Sequence, residues 1–162
     1  MFSTCVQACL GPIREDRALI PGRQARPADI YLPSWSGGLD TALDITVINP
    51  LQQTLMDRSA AKPGHALQVA FDRKMSRHGE DCRTAGIAFM PLPLDTLGVW
   101  GESTVREVKK MGSSLARHTG GEESEIIRHL IQRVSITLMK VNANLILNRS
   151  PNNNPTNIDG IE

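Results

Sequence analysis

Aromatic residues are scarce in this chain of 162 residues, which has two Trp, one Tyr and three Phe. A sheet on which single-stranded nucleic acid stacks its bases needs several aromatic rings on one face, so this type of site is not expected. Cysteine is also rare, at three residues. Their odd number and the lack of a Cys-x-x-Cys pair argue against a disulfide framework and against a zinc knuckle, and indicate a reducing, intracellular compartment.

Charge of one sign is not in excess, because 18 Lys and Arg face 17 Asp and Glu, a net charge of +1. This balance argues against a wholly basic nucleic-acid binder, although a local basic groove stays possible. The sequence contains no run of 18 uninterrupted apolar residues and no secretory leader, so no membrane partner is expected. The length fits one domain, which we expect at residues 1–148, followed by a disordered, Asn-rich tail at 149–162.

The hydrophobic pattern predicts an α/β fold with a small mixed sheet of three to four strands, flanked by helices and followed by a long C-terminal helix. Gly37 and Gly38 suggest a hairpin with a longer loop between the first two strands, and Ser103 is the expected N-cap of a helix. We expect strands over 28–32, 42–48 and 87–92, and helices over 65–84, 104–117 and 122–147.

Two carboxylates in the expected strands are the first candidates for chemistry. Asp29 begins the first strand and Asp44 lies inside the second. Since side chains alternate along a strand, Asp44 and Thr46 should face a cleft, while Leu43, Ile45 and Val47 should be buried. Two carboxylates on adjacent strands can bind magnesium. The alternative is that Asp29 caps a turn and that Asp44 forms an ion pair with a nearby Arg or Lys.

The order of three short motifs resembles the restriction-enzyme-like endonuclease of non-LTR retrotransposons, a member of the PD-(D/E)XK nuclease superfamily. The motifs are Arg26-Pro27-Ala28-Asp29-Ile30, Leu43-Asp44-Ile45-Thr46-Val47 and Lys74 in the following helix. The resemblance spans about residues 12–118. It implies a restriction-endonuclease-like fold and a metal-dependent DNA endonuclease that nicks its substrate.

The same resemblance implies roles for individual residues. Asp29 and Asp44 would bind Mg²⁺ or Mn²⁺, Lys74 would complete the catalytic set, and Glu15 could be an auxiliary acid. The superfamily has a lysine two residues after the second acid, but this chain has Thr46 there. In the retrotransposon branch that lysine is supplied by the following helix, which is where Lys74 lies. The implied partners are DNA and the rest of a retroelement polyprotein, and the implied location is the nucleus.

Two other functions fit the same residues. The first is a catalytically silent, retroelement-derived domain that only binds nucleic acid or packs against a partner, which Thr46 in place of lysine favours. The second is an unrelated interaction domain whose long helix forms a dimer. Basic residues are grouped along two expected helices, where they either contact phosphates or form solvated helix faces. They are Arg73, Lys74, Arg77, Lys109, Lys110 and Arg117.

Overall fold

The computed structural model describes residues 1–14, 19–20 and 27–148. The expected tail at 149–162 and the candidate acid Glu15 lie outside the described residues. The strands are β1 (Ile13–Arg14), β2 (Ile30–Ser36), β3 (Leu39–Ile48) and β4 (Ala88–Asp95). The helices are α1 (Phe2–Gln7), α2 (Met56–Ala61), α3 (His65–Lys74), α4 (Glu80–Thr84), α5 (Glu102–Thr119) and α6 (Glu123–Leu147), and a π-helical segment (Met75–Gly79) joins α3 to α4.

The four strands form one mixed sheet in the order β1-β2-β3-β4. The pairs β1–β2 and β2–β3 are antiparallel, whereas β3 and β4 are parallel. A parallel pair needs a long crossover connection, which here contains α2, α3, the π-helical segment and α4. The expected α/β class, the mixed sheet and the long C-terminal helix are therefore confirmed. The finer, restriction-endonuclease-like topology stays a prediction.

The β2–β3 hairpin is tighter than the sequence suggested. Gly37 and Gly38 both have positive φ, at 61° and 85°, and Ser36 pairs directly with Leu39. Two central residues with positive φ make a type I′ turn, whose twist matches that of the paired strands. The loop between the strands is thus two residues long, because two glycines adopt this backbone without a steric penalty.

Strand β2 also continues beyond Pro33, where the sequence predicted its end. Within the described chain, β1 pairs only with Ile30 and Tyr31, so β2 has no partner on that side at Pro33. A proline is tolerated where no ladder hydrogen bond is lost. The pairing with β3 shifts between Leu32 and Ser36, which is the local irregularity that accommodates the proline.

Helices cover both faces of the sheet. On one face α1 and α5 pack against a core that contains Cys5, Leu32, Leu43, Leu92 and Met111. On the other face α3 and α4 pack against two further clusters that contain Ala42, Ile48, Leu67, Ala70, Cys82 and Phe89. Since Ala42 and Ile48 belong to the second face, the alternation of β3 places Asp44 and Thr46 there too.

The expected burial along β3 is partly wrong. Leu43 is buried, but Ile45 is half-buried and Val47 is 49% exposed, whereas Asp44 and Thr46 are buried at 6% and 8% exposure. The reason is that α3 lies directly over the face that carries Asp44. The opposite face near Val47 is covered incompletely by α6, which leaves an apolar groove of about 400 Å³.

The start of α5 also differs from the sequence expectation. Its N-cap is Gly101, not Ser103. The Ser103 hydroxyl donates instead to the carbonyl oxygen of Pro91 at 2.7 Å, and the Thr104 hydroxyl donates to that of Pro93 at 2.8 Å. These two buried bonds attach α5 to β4, so a tertiary contact takes the hydroxyl that the sequence assigned to capping.

Helix α6 is buried only in part. Leu130 and Leu138 are buried, and the Asn142 amide donates to the Thr96 carbonyl at 2.9 Å, which fixes the helix beside the end of β4. Among the described residues, no helix has the length and apolar character needed to cross a bilayer. Toward its C-terminal end α6 exposes Ile136, Met139, Val141, Leu145, Ile146 and Leu147.

Candidate functional site

Asp44 and Lys74 form a close ion pair between the sheet and the end of α3. The Lys74 Nζ lies 2.7 Å from Asp44 Oδ2, and the two side chains are 23% and 8% exposed. Asp44 points toward α3 because it lies on the same face of β3 as Ala42 and Ile48. A carboxylate at this depth is costly unless it is paired. Lys74, the last residue of α3, provides that pairing.

A second buried oxygen lies on the same strand face as this pair. Asp44 Oδ2 is already neutralised by the Lys74 ammonium at 2.7 Å. Thr46 Oγ1 is also buried, and it has no hydrogen-bond partner among the described residues. Buried polar atoms in native proteins are nearly always satisfied by protein, water or an ion. The Thr46 hydroxyl therefore indicates a place for a small polar species beside the Asp44–Lys74 pair.

Asp29 lies beside Asp44 at the beginning of β2. Its backbone N–H donates to the Leu43 carbonyl at 3.0 Å, and its Oδ2 accepts from the Ile45 N–H at 2.7 Å. Asp29 therefore contacts the backbone of both neighbours of Asp44 in β3, just before the first paired residue of β2, Ile30. The Asp29 carboxylate thus replaces a backbone carbonyl in the ladder. The structure brings all three predicted site residues to one end of the β2–β3 pair, and their chemical roles stay predictions.

His78 also belongs to this region, although the sequence analysis did not assign it there. It lies in the π-helical segment, and its ring packs edge-on against Phe89 at 5.7 Å between centroids. Burial is the main cause that lowers the His78 pKa below 6.5, and the negative charge of Asp44 partly opposes this shift. The available sequence signal was its position four residues after Lys74, which places both side chains on one helix face.

The oxygen atoms at this site are of the type that Mg²⁺ prefers, because Asp29, Asp44 and Thr46 offer only carboxylate and hydroxyl groups. The Thr46 hydroxyl, which has no hydrogen-bond partner in the described part of the chain, fits such an ion chemically. Lys74, however, occupies the neighbourhood of Asp44 Oδ2 and would compete with a cation at that atom. Within residues 1–14, 19–20 and 27–148, no group of three or more His, Cys, Asp or Glu side chains is close enough to hold a metal.

The chain matches no protein-family model, no curated protein and no solved structure. A functional proposal for it therefore depends on the geometry of the Asp29, Asp44 and Lys74 cluster and on the three sequence motifs that led to it.

Proposed function

We propose that the chain is a metal-dependent DNA endonuclease domain that nicks its substrate and is related to the restriction-endonuclease-like domains of retrotransposons. The observation that carries the proposal is the 2.7 Å contact between Asp44 and Lys74, two residues that are distant in sequence and that the motif pattern pairs. The hydrogen bonds of Asp29 to Leu43 and Ile45, the two neighbours of Asp44 in β3, support it. Its partners would be DNA and the remainder of a retroelement polyprotein, and its place of action the nucleus.

Asp29 and Asp44 would hold Mg²⁺ or Mn²⁺, which polarises a phosphate and lowers the pKa of a bound water. Lys74 would orient the attacking water and stabilise the negative charge that develops on the phosphoryl oxygens. Asp44 fixes the position of the Lys74 ammonium. Burial lowers the pKa of His78 and so favours its neutral imidazole, which lies in the same region.

Plasmid nicking is the direct test. Supercoiled DNA incubated with the protein and Mg²⁺ or Mn²⁺ should become open circular. Asp44→Asn should abolish this conversion, because the neutral amide no longer binds the cation. Lys74→Met should reduce the rate on the order of 10²-fold, by comparison with the loss of one preorganised electrostatic group. The matched controls Asp57→Asn and Lys140→Met change exposed residues of α2 and α6 and should nick as wild type does. A fully active Asp44→Asn variant would overturn the proposal.

A second candidate is a catalytically silent domain that binds nucleic acid. Thr46 stands where the superfamily has its lysine, and Asp44 is already engaged by Lys74 and only 8% exposed in its side chain. Wild-type protein that binds DNA but does not nick it with any divalent ion would favour this candidate. The third alternative, an interaction domain whose long helix forms a dimer, stays a prediction. The exposed apolar residues of α6 are the feature that supports it.

A further inference from the structure

A basic groove runs along α5, on the side of the sheet opposite Asp44. It has a volume of about 440 Å³ and is lined by four cations, two serines and one indole ring. The cations are exposed, so their charge faces solvent. The lining residues are Trp35, Arg106, Lys109, Lys110, Ser113, Ser114 and Arg117.

A buried carboxylate organises this groove from below. Glu107 is only 1% exposed, and its Oε2 accepts from the Trp35 indole N–H at 2.7 Å. Its Oε1 contacts Lys110 Nζ at 3.1 Å and Arg106 Nε at 3.3 Å. One carboxylate therefore positions the ring and two of the four cations. A solvated helix face has no such buried anchor, so the groove is a built feature of the domain.

The groove keeps an excess of positive charge after its acids are counted. Glu107 lies beneath it, and Glu123 at its rim accepts from the Ser113 hydroxyl at 2.7 Å. Four cations against these two carboxylates leave a net charge of about +2, in a chain whose total is +1. This helix therefore carries a local excess of positive charge in a chain that is nearly neutral as a whole.

The spacing of these cations fits an extended polyanion. Arg106 and Arg117 bound the set, with Lys109 and Lys110 between them. Eleven residues of α-helix span about 16 Å. A nucleic-acid strand advances about 3.4 Å for each phosphate, so the groove covers about five nucleotides.

We propose that the α5 groove binds the phosphodiester backbone of DNA without reading its bases. This inference rests on DNA as the proposed partner, and it assigns the surface that binds DNA in either an active or a catalytically silent domain. Arg106 also lines a second groove of about 500 Å³, which passes Pro93 of β4 and reaches Gln68 and Phe71 of α3. A strand that follows both grooves passes from the α5 side of the sheet, around the edge at β4, to the helix that carries Lys74.

The test is binding of a fluorescein-labelled 20-base-pair duplex, measured by anisotropy in EDTA so that no cleavage occurs. The double variant Lys109→Glu/Arg117→Glu should weaken binding by about 10-fold or more. The slope of the logarithm of the binding constant against the logarithm of the salt concentration should fall by the amount that corresponds to about two phosphate contacts. The matched control Arg58→Glu/Lys140→Glu makes the same change in net charge at exposed positions of α2 and α6 and should leave both quantities nearly unchanged.

Trp35 gives a second, local readout. In a Trp100→Phe background, Trp35 is the only tryptophan, and DNA bound in the groove should change its fluorescence. Thermal unfolding checks that the variants fold, and the neutral pair Lys109→Gln/Arg117→Gln serves if the reversed charges prevent folding. Equal weakening by the control pair would overturn the proposal, as would a wild-type protein that binds heparin but not DNA. Because EDTA removes metal, failure of the nuclease proposal leaves this measurement unaffected.

Discussion

At the scale of single residues, the two roles that the sequence left open for Asp44 do not exclude each other. The strand pattern alone left open a metal ligand or an ion pair, and the structure contains the ion pair with Lys74. The two roles are compatible chemically, because an acid that binds a cation in one state can neutralise an ammonium in another. Removing one partner of a buried pair leaves the other charge uncompensated, which is far more costly than removing both.

The titration of His78 reports on this cluster without any assay of function. Its pKa is lowered below 6.5, first by burial and also by the positive charges of Lys74 and Arg77, while Asp44 and Asp81 oppose the shift. Asp44→Asn should therefore lower the His78 pKa further, and Lys74→Met should raise it. An NMR titration of the imidazole protons measures both shifts, and Asp57→Asn, in the exposed part of α2, should cause neither.

The sign of the related stability change follows from the same shift. A histidine whose pKa is lower in the folded state binds protons more readily when unfolded. The contribution of neutral His78 to the free energy of unfolding is therefore complete above pH 6.5. It is lost as the pH falls through the lowered pKa of the folded state. A His78 pKa that does not respond to either Asp44→Asn or Lys74→Met would show that the three side chains are not electrostatically coupled.

The sequence related Lys74 to Asp44 only through the order of the three motifs. Nothing in the local sequence distinguishes Lys74 from its neighbour Arg73, and the contact exists because α3 ends above the middle of β3. The unsatisfied Thr46 hydroxyl could not be predicted at all. Satisfaction of a buried polar atom depends on which neighbours fold against it, and that information is tertiary.

At the scale of elements, the crossing of α5 and α6 depends on Gly112. A Cβ atom added there would lie 2.5 Å from Ile127 Cγ1 and 3.3 Å from its Cα. In an open helix, Gly→Ala would stabilise by about 1 kcal/mol through helix propensity. Here Gly112→Ala should instead lower the free energy of unfolding, because overpacking typically costs about 1–3 kcal/mol.

A double mutant separates these two effects. Ile127→Ala removes the Cγ1 atom that Gly112→Ala would meet, so the pair should show a favourable coupling of about 1 kcal/mol or more in urea denaturation. If the two substitutions are additive, the helices are not in contact at Gly112.

Elements were easier to predict than their ends. The strands over 42–48 and 87–92 and the helices over 65–84 and 122–147 follow from hydrophobic periodicity, and each has its counterpart in the fold. The errors at Pro33 and Ser103 have a common cause. Each residue has a strong local preference that its tertiary surroundings override. At Pro33, β2 has no described partner on the β1 side, and at Ser103 a β4 carbonyl accepts the hydroxyl.

At the scale of the whole molecule, the sheet separates two groups of charges. Leu43 faces α5 and the next residue, Asp44, faces α3, so the acidic site and the basic α5 groove lie on opposite sides of one strand. The apolar core between the two faces separates the two groups of charges in space. Under the two proposals, affinity for DNA would come mainly from α5, and any chemistry would take place at the end of α3.

The separation predicts that affinity and rate can be changed independently. If the domain nicks DNA, Lys109→Glu/Arg117→Glu should weaken binding about 10-fold or more, yet bound DNA should be nicked at nearly the wild-type rate at saturating protein. Asp44→Asn should bind DNA as wild type does and fail to nick it. Since the two sites share no contacts, the effects should add in the triple variant within about 0.5 kcal/mol of binding free energy. A groove variant that binds normally but nicks slowly would mean instead that α5 positions the scissile phosphate, and that the sheet does not divide the two tasks.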